Sequence, residues 1–251
     1  MADEQSRWIR RYRAAPEAAV QLVCLPHAGG SASYYRPMAM ALFPAVEVLA
    51  VQYPGRQDRV NEPYIGDFAE LTERTLAAVR PELDRPVALF GHSMGALLAF
   101  EVAKRLEADG IEPLALFASG GRPPGRPVRH AHTATDEELI SEIAALAGTD
   151  KRLLDSEDMR VLFLPALRGD YRMMGTYRFD GPRVACPVVS LTGDNDDLVS
   201  VDDAAAWAGH TTGRFDLHVF SGGHFYLADQ WAGVGEVLTK SLGAHVPTGT
   251  G

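Results

Sequence analysis

The residues with the clearest chemistry are in Val87-Ala88-Leu89-Phe90-Gly91-His92-Ser93-Met94-Gly95, where an apolar run ends in Gly-x-Ser-x-Gly and an Ala-rich stretch follows at once. Strand, sharp turn and helix are the context this spacing needs. The turn is too tight for side chains at Gly91 and Gly95, and it pushes the Ser93 hydroxyl clear of the strand. The helix that starts there aims its free N–H groups and positive end at the same point. Such a serine can attack a carbonyl carbon, provided a base takes its proton.

On this pattern the partners follow the serine in the order Ser, Asp/Glu, His. Three histidines lie in or beyond the last expected strand: His218, His224 and His245. His218 falls inside the strand and His245 in the tail. His224 follows Ser221-Gly222-Gly223, a loop able to reach over Ser93, and is the expected base. The acid is expected just past the preceding strand, in Gly193-Asp194-Asn195-Asp196-Asp197. The Gly-x-x-Asp spacing selects Asp196, while Asp194 suits a turn or cap and Asp197 is a weaker rival. Asp196 would fix the His224 tautomer and stabilise the imidazolium. His92 adjoins Ser93 and is read as a packing residue that holds the turn. Two backbone N–H groups are expected to meet the developing oxyanion, one from Met94 and one from Ala28 in the loop Pro26-His27-Ala28-Gly29-Gly30-Ser31. HExxH, CxxC and GxxxxGK[ST] are all absent, and Gly29-Gly30 lacks the third glycine of a dinucleotide loop, so zinc, P-loop and Rossmann chemistry have no motif.

These residues need a scaffold, and the hydropathy pattern supplies one. Continuous apolar runs at Val20–Leu25, Val46–Tyr53, Val87–Phe90, Leu114–Ala118, Val188–Leu191 and Phe215–Phe220 suit strands buried on both faces of a parallel sheet. Helical spacing falls between them. Phe68, Leu71, Thr75, Leu76 and Val79 share one face ahead of Pro81; Ala96–Leu106 ends before Gly110; a closing helix follows Asp229. The alternation predicts an α/β fold, a mostly parallel sheet with helices on both faces. Residues 121–186 break the rhythm. After a Pro- and Arg-rich loop come two helical patterns, Asp136–Ala147 with Thr135 as N-cap and Ser156–Met174. A helical insertion of about 50 residues far exceeds the few residues of an ordinary connection and reads as a lid. The tail His245–Gly251 is expected to be disordered.

The chain has 251 residues, with 46% hydrophobic and 23% charged, ordinary globular proportions that suit one large α/β domain spanning residues 1–251. The 24 Lys+Arg against 33 Asp+Glu leave a net charge of −9, which argues against nucleic acid as the main partner. No apolar run reaches the ~18 residues of a membrane span, and the charged N-terminus is no secretory signal, so no membrane association and a cytoplasmic location are expected. Cys24 and Cys186 each lie in or beside an apolar run, and two cysteines cannot make a disulfide framework or a four-thiolate metal site; buried reduced thiols and no metal site are expected.

Taken together, these segments resemble the type II thioesterases, the free-standing editing enzymes of polyketide and nonribosomal peptide assembly lines, over nearly the whole chain. The resemblance rests on Leu25-Pro26-His27-Ala28-Gly29-Gly30-Ser31 with Tyr34-Tyr35, on Gln52-Tyr53-Pro54-Gly55-Arg56, on Phe90–Ala96 and on Ser221-Gly222-Gly223-His224-Phe225. It implies the α/β-hydrolase fold with a helical lid and hydrolysis of acyl thioesters on the phosphopantetheine arm of an acyl or peptidyl carrier protein. It also implies no cofactor of the enzyme's own. Carrier proteins are usually acidic, which directs attention to arginines: Arg7, Arg10, Arg11 and Arg13 near the N-terminus, read as solvated charge, and Arg122, Arg126 and Arg129 at the lid entrance. Arg122 and Arg126 are the candidates for meeting the carrier or its phosphate. The apolar face of the second lid helix (Met159, Leu162, Phe163, Leu164, Leu167, Met173, Met174) is mostly core, with Phe163, Met173 and Met174 as candidates for the acyl channel. Rival readings are a small-molecule carboxylesterase, a chain-terminating thioesterase and a non-catalytic protein of the same fold. The chain starts almost directly at the domain, which favours a free-standing enzyme, and all three triad positions are filled, which favours catalysis.

Overall fold

The computed structural model describes residues 7–126, 135–147, 157–179 and 181–243. The strands are β1 (Ile9–Arg10), β2 (Val20–Leu25), β3 (Val46–Val51), β4 (Val87–His92), β5 (Leu116–Ser119), β6 (Val188–Gly193) and β7 (Phe215–Phe220). They form one sheet in the order β1-β3-β2-β4-β5-β6-β7. Only β1 runs antiparallel to its neighbour; every other pairing is parallel. The helices are α1 (Arg36–Ala41), α2 (Phe68–Val79), α3 (Met94–Ala108), α4 (Asp136–Ala147), α5 (Glu157–Thr176), α6 (Val201–Ala205) and α7 (Leu227–Ser241).

The continuous apolar runs become strands because both sheet faces are covered. Val23, Leu25, Leu89 and Leu116 pack toward residues of α2, α3 and α5, while Leu22, Cys24, Phe90 and Phe117 pack toward α1 and α7. Each such side chain, fully buried, contributes about 1.5–3 kcal/mol. Helix α3 lies deepest, with Leu98, Ala99, Phe100, Val102 and Ala103 all inaccessible. It stops where Gly110 N–H bonds the Glu107 carbonyl and Ile111 N–H bonds that of Leu106, the paired closure that a left-handed glycine permits.

Some boundaries differ from expectation. β3 ends at Val51, not Tyr53, because β2 pairs with it only as far as Cys24↔Ala50. β5 starts at Leu116, although Leu114 N–H still reaches the Val87 carbonyl at 2.8 Å. β4 and β6 run two residues longer than the apolar pattern suggests, because the backbone ladder continues under His92 and Gly193. The insertion between β5 and β6 is helical as expected. Thr135 caps α4 in a reciprocal box, its Oγ1 accepting from Glu138 N–H while its own N–H donates to the Glu138 carboxylate. Helix α5 packs into the core, as its apolar face suggests. Leu167 and Met173 are inaccessible within the larger cluster, and Phe68 of α2 packs 4.6 Å from Tyr177 just past its end.

Candidate active site

Ser93 sits between β4 and α3 at φ 57° and ψ −117°, a left-handed conformation rare for any residue but glycine. The surrounding backbone enforces it. A Cβ on Gly91 would lie 1.9 Å from the Gly95 carbonyl oxygen, and one on Gly95 would lie 2.0 Å from that of Leu25. No side chain fits either place, which is why the motif carries glycine there.

β7 ends beside β6, so the loops leaving both strands meet over Ser93. Asp194, read as a turn former, braces them: its carboxylate accepts from Gly222 N–H at 2.9 Å. Asp196 Oδ1 accepts from the N–H groups of Leu198 and Val199 at 2.8 and 3.0 Å, which aims Oδ2 at His224 Nδ1, 2.9 Å away. His224 Nε2 lies 3.0 Å from Ser93 Oγ. A carboxylate only accepts, so Nδ1 carries the hydrogen and Nε2 is the acceptor for the serine hydroxyl. Asp197 is exposed, His218 is half-buried within β7, and His245 lies outside the described residues.

Above Ser93, the loop after β2 turns through His27–Gly30, closed by Gly30 N–H to the His27 carbonyl at 2.9 Å. Gly29 N–H donates to Asp170 Oδ2 at 2.8 Å. Both glycine amides are therefore engaged, which keeps Ala28 as this loop's candidate donor. Met94 N–H belongs to the first turn of α3, where helix amides lack intrahelical acceptors. Ala28 and Met94 line one small pocket with Ser93 and His224. The same pocket is lined by Leu97, Tyr171, Met174, Leu198 and Val199, which give it a largely apolar wall.

The imidazoles behind the triad are kept neutral. His92 is buried, its Nδ1 is 2.9 Å from Ser119 Oγ, and Ser119 Oγ in turn is 2.7 Å from the Tyr226 hydroxyl, in keeping with its reading as a packing residue. Burial, then the neighbouring His224 and His27, push its pKa well below the ordinary value. Burial, followed by His224 and Arg56, lowers that of His27 to about 3. Cys24 and Cys186 are buried free thiols whose pKa values burial raises, so neither offers a second nucleophile. Among the described residues, no cluster of His, Cys, Asp and Glu could hold a metal ion, and no helix is long and apolar enough to cross a membrane.

The thioesterase-domain family model matches residues 20–242. The chain belongs to the thioesterase family. It is 48% identical to thioesterase PikA5 of Streptomyces venezuelae over 89% of this chain and 81% of that one. It is 45% identical to the probable cadicidin biosynthesis thioesterase of Streptomyces griseus over 96% and 67%. Among solved structures it superposes on the type II thioesterase BorB of the borrelidin biosynthetic cluster with a TM-score of 0.87, 48% identity and coverage of 94% and 97%. The fold is thus that of the α/β-hydrolases.

The thioesterase places the remaining candidates unevenly. Met174 lines the pocket beside Ser93, but Met173, one residue away on α5, turns into the core and is inaccessible. Phe163 packs against Gly29 on the far side of the loop, in a separate groove with His27 and Arg56. Neither therefore lines the pocket beside Ser93. Arg122 reaches the pocket, but its Nε donates to the Leu198 carbonyl at 2.9 Å and lies 3.4 Å from Asp203, so it braces the acid loop. Arg126 lies 3.6 Å from the same carboxylate, with half its side chain exposed in the next groove. Arg129, like the Met159 and Leu162 side chains, lies outside the described residues. The N-terminal arginines, read as solvated charge, do lie at the surface, where they also find partners: Arg7 with Glu62, Arg10 with Asp58, Arg11 with Glu47 and Glu82, and Arg13 over the Phe43 ring. Sequence reasoning missed Tyr171 and Asp170 of α5. A signal existed for Asp170: it falls in register with Phe163, Leu167 and Met174, a carboxylate on an apolar stripe.

Proposed function

We propose that this thioesterase hydrolyses short acyl groups from the phosphopantetheine arm of acyl or peptidyl carrier proteins, through an acyl-Ser93 intermediate. Its role is to clear aberrant groups from a polyketide or nonribosomal peptide assembly line in the cytoplasm. The observation that carries the reading is the Ser93–His224–Asp196 chain of hydrogen bonds at 3.0 and 2.9 Å, opening into a small pocket walled by Met94, Leu97 and Met174.

Ser93 Oγ attacks the thioester carbonyl as His224 Nε2 takes its proton. The Ala28 and Met94 amides hold the tetrahedral oxyanion, and Asp196 stabilises the imidazolium. Collapse expels the pantetheine sulfur, which receives the proton from His224. Water, deprotonated by His224, then attacks the acyl-serine, and the free acid leaves with Ser93 restored. No cofactor of the enzyme's own enters this scheme; the phosphopantetheine belongs to the partner. The arm has a natural path in the groove of about 510 Å³ lined by Pro123, Arg126, Tyr177 and Arg178, which shares Leu97 and Met174 with the acyl pocket. Arg126 and the exposed Arg178 give that path positive charge suited to a phosphate or an acidic partner, although the chain as a whole carries −9.

Hydrolysis of a short acyl-pantetheine thioester and of its matched oxyester tests the reading. A strong preference for the thioester is expected. Equal or better turnover of the oxyester would identify a general esterase instead.

A further inference from the structure

We infer that Asp170, on the inserted helix α5, is a positioning residue for the oxyanion-binding loop, with Arg56 as its counter-ion. The inference rests on the acyl-Ser93 reading and adds a residue to it. Asp170 is 1% exposed and Arg56 5%, and 114 positions separate them in the chain. The pair is bidentate: Arg56 Nη1 donates to Asp170 Oδ2 at 2.7 Å and Nη2 to Oδ1 at 3.0 Å. Oδ2 also accepts Gly29 N–H at 2.8 Å, and Arg56 Nη1 reaches the Gly30 carbonyl at 3.2 Å. The two side chains therefore grip the Ala28–Gly29 peptide through its N–H and the Gly30–Ser31 peptide through its carbonyl, one on each side of the Gly29–Gly30 peptide.

The grip selects one backbone orientation out of two. His27–Gly30 is a four-residue turn with Ala28 and Gly29 at its corners, and Gly29 has φ +71°. That sign marks the form of the turn whose central peptide is flipped relative to the commoner form. In the form present, the Ala28–Gly29 peptide points its N–H at the Asp170 carboxylate. In the flipped form it would point the Ala28 carbonyl there, oxygen against oxygen, and the corner residue Ala28 would change its dihedral angles. Asp170 makes that flip unfavourable and so holds the Ala28 corner in one geometry before substrate arrives. The same helix supplies Tyr171 and Met174 to the acyl pocket, so substrate wall and oxyanion loop are referenced to one rigid element.

Two variants test this. Asp170→Asn keeps the shape but must place an NH₂ against either Gly29 N–H or Arg56. Arg56→Met combined with Asp170→Leu removes both charges, leaves none buried unpaired, and keeps the test open if the first variant unfolds. Each is compared with the wild type in turnover of a short acyl-pantetheine and in affinity for two analogues. One is a trifluoromethyl ketone, which Ser93 converts to a tetrahedral oxyanion; the other is the unreactive amide. The expected result is a kcat lower by ~10–100-fold. KM should stay within about twofold. Ketone affinity should fall in parallel with kcat while amide affinity is unchanged. Unchanged kcat in a variant with cooperative thermal unfolding would overturn the inference, as would equal weakening of both analogues. A wild type that neither turns over thioester nor binds the ketone would count against the acyl-Ser93 reading itself, whereas an active wild type with unaffected variants counts against Asp170 alone.

Discussion

Acid should destabilise the folded thioesterase through histidines that cannot accept a proton where they sit. His27 has its pKa lowered from 6.5 to about 3 by burial, then by His224 and Arg56, and its Nδ1 is buried without a hydrogen-bond partner among the described residues. The unfolded chain binds a proton at this residue below pH 6.5, and the folded chain does not until about pH 3. Protons therefore favour the unfolded state throughout that window, and stability falls as pH falls. The slope is ~1.4 kcal/mol per pH unit, so His27 alone removes ~2 kcal/mol by about pH 5. His92 is shifted in the same direction and adds to the loss. For a chain of this size, ~2 kcal/mol corresponds to a Tm lower by about 4–8 °C. Thermal unfolding followed by circular dichroism at about pH 7.5 and 5, on wild type and His27→Gln, isolates the His27 share from that of carboxylates. Tm should drop in the wild type and drop several degrees less in the variant. An identical drop in both would refute the assignment of His27 as the acid-labile group.

The site and its scaffold yield further predictions. Asp196→Asn should leave the fold intact but lower kcat by ~10⁴-fold, read in steady-state thioester hydrolysis, because the amide no longer fixes the His224 tautomer. Gly95→Ala, whose Cβ would fall 2.0 Å from the Leu25 carbonyl oxygen, should cost about 3 kcal/mol or more in urea unfolding. Met174→Ala should widen the acyl pocket and raise kcat/KM for longer over shorter acyl chains by ~10-fold, measured by pairwise competition. Charge reversal of Arg126 together with Arg178 should raise KM for carrier-bound thioester by a larger factor than KM for free acyl-pantetheine, which lacks the phosphate and the acidic partner, measured in parallel steady-state assays.

Much of this was legible in local patterns. The strands were readable because helices cover both faces, so each strand is one unbroken apolar run. Ser93 was readable because its turn excludes side chains at two fixed positions, and Asp196 and His224 because each follows a strand end at a defined offset. Thr135 announced its cap through Glu138, three residues on. What escaped the sequence was of two kinds. β1, α1 and α6 are too short to show any period. The other kind depends on contacts distant in the chain. Met173 and Met174 are adjacent and chemically identical, yet one faces the core and the other the pocket beside Ser93, which only the helix's rotation against the sheet decides. Phe163 shares its stripe with Met174 but lies three turns earlier, beyond the oxyanion loop. The N-terminal arginines find their acidic partners across the sheet edge, from Glu47 to Glu82, with no local sign of the pairing. Arg56 and Asp170 meet in the same way.

The central claim is that Ser93 and His224 release acyl groups from a carrier protein by way of an acyl-enzyme. Intact-mass analysis of acyl carrier proteins loaded with acetyl, propionyl, malonyl and longer groups, incubated with wild type and with Ser93→Ala, tests it most directly. The account predicts that wild type returns the short-chain carriers to the free-thiol mass while Ser93→Ala leaves them loaded. Carriers that stay loaded with wild type, or are unloaded equally by Ser93→Ala, would contradict it.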